Sequence, residues 1–231
     1  MYKKLAALAF VGLLASATAA HASSFSFTAA GVGTVTGTTG AGTISLTLTS
    51  LDDVNISDAQ ALAGVLLTLS NAVTVQPPNL LTSSSGDLIT LNADGTYVDD
   101  GVSSLAHWGA STINTTTVCV ATVSGNGATC AAGGQPDDLI IGNPNGSNTY
   151  NETGNMLNFN PFVKKTATFV LAVSGVTADT NVTAATFGTS TSFTTTGGDP
   201  TPPPVPEPSS LALLGTGIVG AAGLLRRRFA A

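Results

Sequence analysis

Hydrophobic and polar residues alternate with a period of two along much of this chain, which is the pattern of β-strands with one buried face. Such runs occur at residues 25–28, 43–49, 88–91, 118–123 and 168–173. The segments between them are rich in Gly, Asn, Asp and Ser, which are turn residues. Many short strands separated by turns predict an all-β fold and favour an antiparallel β-sandwich or jelly roll.

Turn residues also predict where hairpins form. The Asp94-Gly95 dipeptide between two strand patterns predicts a type I′ turn, in which both central residues take positive φ. Gly125-Asn126-Gly127 predicts a second hairpin between Val118 and Cys130. A single short helix is predicted at residues 58–63, because Ser57 and Gln60 form a capping-box pattern before Gly64.

The N-terminal residues have the three parts of a secretory signal peptide. Lys3 and Lys4 precede an apolar stretch at residues 5–17, and Ala20-His21-Ala22 forms a small-residue cleavage site. The pattern predicts that residues 1–22 are a signal peptide and that signal peptidase cuts after Ala22.

The C-terminal residues predict a membrane segment. An uncharged apolar run at residues 209–225 is followed by Arg226, Arg227 and Arg228. As a helix the run would be roughly 26 Å long, close to the ~30 Å hydrocarbon core of a bilayer. We therefore expect a transmembrane helix at residues 209–228 with its arginines on the cytoplasmic side. A proline-rich spacer at residues 200–208 separates it from a folded body at residues 23–199.

Pro206-Glu207-Pro208, the apolar segment and the arginine cluster follow one another in a specific order. This order resembles the PEP-CTERM sorting segment of exported bacterial envelope proteins, and the resemblance covers residues 205–228. It implies that the chain is the substrate of an exosortase-type membrane protease, which recognises the Pro-Glu-Pro region and removes the helix. Pro206, Glu207 and Pro208 would then be substrate residues and not catalytic residues.

The charge of the body limits its partners. Between residues 23 and 199 the only basic residues are Lys164 and Lys165, against twelve acidic residues, which gives a net charge of −10. So acidic a surface repels phosphate backbones, and nucleic acid is not expected as a partner. Cations and neutral glycans, including extracellular polysaccharide, stay open.

Cys119 and Cys130 are the only cysteines in the chain. In an exported protein, two cysteines on either side of a glycine-rich turn predict one disulfide that closes the hairpin. The loop-entropy relation assigns such a link about 3 kcal/mol.

The body shows few catalytic signals. His107 is its only histidine, and neither G-x-S-x-G nor H-E-x-x-H occurs. The sequence therefore predicts no catalytic residue, no cofactor and no metal ligand, and favours a non-enzymatic envelope or extracellular-matrix protein.

Two alternatives stay open. His107 and Trp108 are either a core pair or part of a sugar-stacking surface, and the doublets Asp52-Asp53, Asp99-Asp100 and Asp137-Asp138 are either turn residues or calcium ligands. Exposed, adjacent members of these sets would indicate a carbohydrate- or calcium-dependent adhesion module. A pair of carboxylates facing each other across a cleft would instead indicate a glycan-active enzyme.

Overall fold

The computed structural model describes residues 22–51, 55–56, 60–76, 80–122, 130, 137–152, 156–189 and 192–197. Contacts divide the chain into two units, Met1–Pro200 and Thr201–Ala231, and every described residue lies in the first. Apart from one 3₁₀ turn at Met156–Phe159, the regular structure of the described residues is β-strand. This confirms the all-β prediction.

Both predicted membrane-directed segments fall largely outside this part of the chain. Within the described ranges, no helix has the length and apolar character needed to cross a bilayer. The predicted signal peptide, except Ala22, lies outside the described residues. So do the proline-rich spacer at 200–208 and the predicted helix at 209–228.

Twelve strands of the described residues join in one hydrogen-bonded network, and two more form a separate pair. The strands in chain order are β1 Ser23–Ala29, β2 Gly33–Gly40, β3 Thr43–Ser50, β4 Asn55–Ile56, β5 Leu62–Leu69, β6 Leu81–Leu91, β7 Tyr97–Ser103, β8 Gly109–Asn114, β9 Thr117–Ala121, β10 Ile140–Ile141, β11 Asn151–Glu152, β12 Phe162–Ala172, β13 Val182–Thr189 and β14 Ser192–Thr196.

The large network consists of two halves. The first half has the order β1-β2-β3-β12-β6-β7, and the second half has the order β14-β13-β5-β9-β8. The short strand β10 connects them, because it pairs with β12 on one side and with β5 on the other. Most neighbours are antiparallel as predicted, whereas β10 with β12 and β11 with β4 are parallel pairs.

One central core receives side chains from both halves. Phe27, Leu48 and Phe169 of the first half and Leu67 and Phe187 of the second half belong to the same buried cluster. Along β3 the burial pattern alternates strictly, so that Ile44, Leu46 and Leu48 are buried and the residues between them are partly exposed. The period-two pattern of the sequence thus records which face of each strand meets this core.

The outer faces of the two halves differ. On the second half, Cys119, Ala121, Cys130 and Phe193 form a separate buried cluster. On the first half, a third cluster around Ile89, Tyr150 and Phe162 covers the outer face near the start of β12. It ends at an irregularity between Val163 and Ala167, where Lys165 has a φ of 68°. Beyond this point the outer face of the first half is polar.

Each predicted strand pattern lies on a strand of the structure. Residues 25–28 and 43–49 lie within β1 and β3, and 88–91 form the end of β6. The pattern at 118–123 becomes β9, which begins one residue earlier and ends at Ala121. The pattern at 168–173 lies in β12, which begins earlier, at Phe162, and ends at Ala172.

The hairpin at Asp94-Gly95 forms, but its predicted turn type is wrong. Strands β6 and β7 pair with Leu91 opposite Tyr97, and the Asn92 amide donates to the Thr96 carbonyl oxygen. Only Gly95 of this turn has a positive φ, at 81°, and its amide donates to the Asn92 carbonyl oxygen. This is a three-residue loop that ends in a left-handed glycine, in place of a two-residue type I′ turn. The second predicted turn, Gly125-Asn126-Gly127, lies outside the described residues.

The predicted helix at residues 58–63 is wrong where the structure describes it. Leu62 and Ala63 begin β5, and Gln60 lies in a turn. Strand β5 pairs with β13 on one side and β9 on the other. Tertiary pairing on both sides outweighs a local capping signal of about two turns, because an isolated helix of that length is marginal. Ser57 and Asp58 lie outside the described residues.

Candidate functional site

The only histidine of the body lies between two aspartates. His107 is in the loop after β7, and Asp137 and Asp138 come shortly before β10. His107 Nδ1 is 3.1 Å from Asp138 Oδ2, and His107 Nε2 is 3.5 Å from Asp137 Oδ2. The backbone amide of His107 also donates to Asp138 Oδ2, at 3.3 Å. The fold thus brings together two regions about thirty residues apart in the sequence, and we call this arrangement the His107 corner.

Asp138 is the fixed member of the His107 corner. The residue is 3% exposed, whereas the His107 side chain is about half exposed. Asp138 has a φ of 57°, a left-handed conformation that aspartate tolerates better than most residues. Its amide donates to the Pro161 carbonyl oxygen, and Val163 donates to the carbonyl oxygen of the neighbouring Leu139. These bonds attach the aspartate to the beginning of β12.

Trp108 is part of the core, as one of the two alternatives for this residue predicted, and the sugar-stacking alternative does not hold for it. The residue is 5% exposed, and its ring centroid lies 4.6 Å from that of Phe169. Its indole Nε1 donates to the Asp138 carbonyl oxygen at 2.9 Å. A pyranose therefore has no access to the indole face. Of the predicted semi-buried core pair, Trp108 is buried in the core, whereas about half of the His107 side chain is exposed.

The His107 corner is a cluster in which each ring nitrogen of one imidazole faces its own carboxylate. When the imidazole is protonated, both ring nitrogens are donors, and each faces its own carboxylate. A metal ion would instead require these ligands to converge on one point. Among the described residues, no group of three or more His, Cys, Asp or Glu side chains is arranged to hold a metal ion.

The aspartates of the β6–β7 hairpin also have protein donors. Asp99 accepts from the Gly101 amide at 3.0 Å, and Asp100 accepts from the Thr90 hydroxyl at 2.7 Å. Hydrogen bonds from the Thr96 hydroxyl and amide hold the pKa of the exposed Asp94 carboxyl below its usual value of 3.8. Asp99 and Asp100 thus stabilise their own hairpin, and the third doublet, Asp52-Asp53, lies outside the described residues.

A second polar group joins this hairpin to the loop before β11, and sequence reasoning did not identify it. The Tyr97 hydroxyl donates to Asn148 Oδ1 at 2.9 Å, and the Lys164 Nζ lies 5.1 Å from the centre of the Tyr97 ring. Tyr97 also meets Tyr150 edge to face. The sequence offered one hint of this group, because Lys and Tyr are scarce in the body. The spacing of these residues along the chain, however, does not predict that they meet.

The predicted disulfide between Cys119 and Cys130 is present. Cys119 lies in β9, and the two Cα atoms are 5.5 Å apart. Both residues are buried in the outer cluster of the second half. The link therefore ties Cys130 to the outer face of that half.

Ala22 is the single member of the predicted cleavage and sorting residues that the structure describes. It is exposed and directly precedes β1, which begins at Ser23. The predicted cut after Ala22 would therefore release the body at the first residue of its first strand. The other residues of this set lie outside the described residues, and they are Ala20, Pro206, Glu207, Pro208, Arg226, Arg227 and Arg228.

Comparison with known proteins identifies the class of the chain through this C-terminal segment. Residues 204–228 match the family described as the PEP-CTERM protein-sorting motif. The match includes the Pro-Glu-Pro tripeptide and the arginine cluster that carried the resemblance in the sequence. The chain therefore carries a PEP-CTERM sorting motif, which implies an exported protein that is sorted through the membrane and processed by exosortase. The comparisons with curated proteins and with solved structures found no significant match.

Proposed function

We propose that this chain is a non-enzymatic exported protein of the cell envelope or extracellular matrix, sorted through its C-terminal segment. The observation that carries the proposal is the sorting motif at residues 204–228. Signal peptidase acts first, after Ala22, and the exosortase-type membrane protease acts second, at the Pro-Glu-Pro region. Between these steps the segment at 209–228 holds the chain in the membrane. After the second cleavage the body reaches the cell surface or the matrix.

The proposed body is a β-sandwich. Support comes from the two strand halves, whose inward side chains share one core, and from β10, which connects them at one end. Leu80 supports a second connection between the two halves. Its amide donates to the Ala110 carbonyl oxygen of β8, and its carbonyl oxygen accepts from the Ala172 amide of β12. Such a body is the folded domain that the sorting signal delivers.

The proposal is tested by changing the arginine cluster. Replacing Arg226, Arg227 and Arg228 together by Ala removes the charges that halt the segment at the cytoplasmic face. In an exosortase-bearing bacterium we expect unprocessed or mislocalised protein, detected by immunoblotting of membrane, surface and medium fractions. The matched control replaces the same residues by Lys, which keeps the charge and should keep the membrane topology.

A second variant separates topology from recognition. Glu207→Ala leaves the apolar segment and the arginines intact, so the chain should insert normally but be cleaved slowly. If the triple Ala variant and Glu207→Ala are processed and displayed like the unchanged protein, the sorting proposal is wrong.

A carbohydrate- or calcium-dependent adhesion module is the second candidate. The observation that favours it is the contact of the half-exposed His107 with the Asp137-Asp138 doublet. Against its stacking version stands the burial of Trp108, and against its calcium version stand the protein donors on Asp99, Asp100 and Asp138.

The glycan-active enzyme is the third candidate. Asp137 and Asp138 both contact one imidazole. In a glycosidase, the two carboxylates instead flank the scissile bond from either side. This difference supports the non-enzymatic proposal.

A further inference from the structure

The outer face of the first half carries rows of hydroxyl groups that run across five strands. In the central row, Ser26 lies opposite Thr36, Thr36 opposite Thr47, Thr47 opposite Thr168, and Thr168 opposite Ser85. On β1, β2, β3 and β12 these residues alternate with buried core residues, so their side chains face away from the core. We call this row and its two neighbours, two residues away along β1, β2, β3 and β12, the hydroxyl face.

The neighbouring rows continue the same chemistry. On one side Thr34 lies opposite Thr49, and Thr49 lies opposite Thr166. On the other side Thr38 lies opposite Ser45, and Ser45 lies opposite Val170, the one position in the three rows that is neither serine nor threonine. On β1, β2, β3 and β12 these rows contain no charged residue, although the body has a net charge of −10, and Asp87 of β6, two residues from Ser85, lies at their border.

Strand geometry makes this face a regular lattice. Neighbouring strands lie about 4.8 Å apart, and alternate residues along one strand lie roughly 6.7 Å apart. Within a row the Thr28 and Thr34 hydroxyls are 3.2 Å apart, and the Thr49 and Thr166 hydroxyls are 3.5 Å apart. By contrast, the hydroxyls of Thr36, Thr38 and Thr47 have no protein partner within the part of the chain that the structure describes.

The two outer faces are not equivalent. On the second half, the outer face is covered by the disulfide cluster of Cys119, Cys130 and Phe193. The cluster around Ile89 and Phe162 covers the first half only at the beginning of β12. The hydroxyl face lies on the other side of the irregularity at Lys165.

The composition of the hydroxyl face limits the kinds of ligand that can bind to it. A second copy of the chain would need an apolar interface centre, and Val170 is the only apolar side chain in the three rows. A polyanion would be repelled by the net charge of the body. A flat crystalline surface would not follow the twist that neighbouring strands accumulate, roughly 20° to 25° per strand. A single extended, uncharged polymer chain, which can bend with the twist, avoids all three difficulties.

We propose that the hydroxyl face is a docking surface for an extended, neutral polysaccharide that lies along the rows and across the strands. Serine and threonine hydroxyls both donate and accept hydrogen bonds, as sugar hydroxyls do. A step of about 4.8 Å between strands is close to the length of one sugar unit in an extended β-linked chain. Each contact is weak, and affinity comes from many contacts along one polymer. The expectation that the protein meets such a polysaccharide rests on the proposed matrix function, whereas the capacity of the hydroxyl face to bind it does not.

Affinity gel electrophoresis of the purified protein tests the proposal. Soluble hydroxyethyl cellulose, which is β-linked and extended, should retard the protein in the gel, whereas anionic alginate and α-linked dextran should not. The variant Thr36→Val, Thr47→Val, Thr168→Val removes three central hydroxyls and keeps the β-branched shape. We expect its retardation constant to fall by roughly five- to tenfold, since each net hydrogen bond is worth only a modest factor.

The matched control removes three outward threonine hydroxyls from the second half. Thr68→Val, Thr117→Val, Thr183→Val changes β5, β9 and β13 and should be retarded like the unchanged protein. Equal circular dichroism melting curves verify that both variants are folded. The proposal is overturned if hydroxyethyl cellulose does not retard the protein or if dextran or alginate retards it equally. It is also overturned if the retardation constant of the variant with Thr36→Val, Thr47→Val and Thr168→Val is unchanged. Because purified protein is used, failure here leaves the sorting experiment unaffected.

Discussion

His107 Nδ1 and Asp138 Oδ2 lie 3.1 Å apart, and the same carboxylate oxygen accepts the His107 backbone amide. The aspartate is buried while the histidine side chain is half exposed. One buried carboxylate thus holds both the backbone and the ring of a residue on a distant loop, and it connects the end of the β6–β7 hairpin to β10 and β12.

This relationship predicts unequal effects of mutating the two residues. Asp138→Ala removes a buried carboxylate and leaves the part-buried His107 amide without its acceptor, so it should lower the free energy of unfolding by about 2–4 kcal/mol. His107→Ala removes a half-exposed ring and should cost about 1 kcal/mol or less. Urea denaturation measures both. Equal effects would show that Asp138 acts only through the imidazole.

Gly95 and Gly42 form a matched pair for the strain at left-handed positions. Their φ values are 81° and 72°, but a Cβ at Gly95 would collide with the Tyr150 carbonyl oxygen, whereas a Cβ at Gly42 would meet no atom within 4 Å. We expect Gly42→Ala to cost about 1–2 kcal/mol from conformation alone. Gly95→Ala should cost clearly more in the same denaturation assay, because Tyr150 must also shift. Similar costs would contradict the close approach of the hairpin to Tyr150.

Tyr150 predicts a loss of stability in alkali. Burial, followed by the nearby Tyr97 and Asp87, raises the pKa of its phenol well above the usual value of 10.0. A raised folded pKa contributes stability that is fully present below the unfolded pKa and is lost as the pH rises through the folded pKa. The free energy of unfolding should therefore begin to fall above about pH 10. Tyr150→Phe removes this ionisation, although it also removes the hydrogen bond to the Gly142 carbonyl oxygen, so the slope against pH is the relevant readout. An unchanged slope in the variant would assign the alkaline loss to other groups.

Calcium is predicted to leave the stability unchanged. Asp99 and Asp100 accept hydrogen bonds from Gly101 and Thr90, and Asp137 and Asp138 contact the His107 ring. A ligand at ~10 times its dissociation constant would add about 1.4 kcal/mol to the folded state. Melting curves in millimolar calcium and in EDTA should coincide, and the double change Asp99→Asn, Asp100→Asn should not alter their agreement. A calcium-dependent rise that this double variant abolishes would restore the calcium-binding adhesion module.

The sequence by itself determined the strands and the sorting signal, because both depend on local order. Alternation in residues such as Ile44, Leu46 and Leu48 reports one buried face of a strand whatever its partners are. The PEP-CTERM motif is a linear signal that a protease reads, so its residues needed no fold to be recognised. The Cys119–Cys130 link was also predictable, because these are the only two cysteines of the chain and they lie eleven residues apart.

Tertiary structure decided everything that depends on partners distant in the sequence. Residues 62–63 became strand because β13 and β9 pair with β5 on both sides, and Trp108 became core because Phe169 lies against it. The His107 corner required the loop after β7 to meet the segment before β10. The hydroxyl face required the register of five strands, and a shift of one residue would have turned the same threonines into the core. Local patterns specify what each face is made of, and only pairing specifies which faces lie side by side.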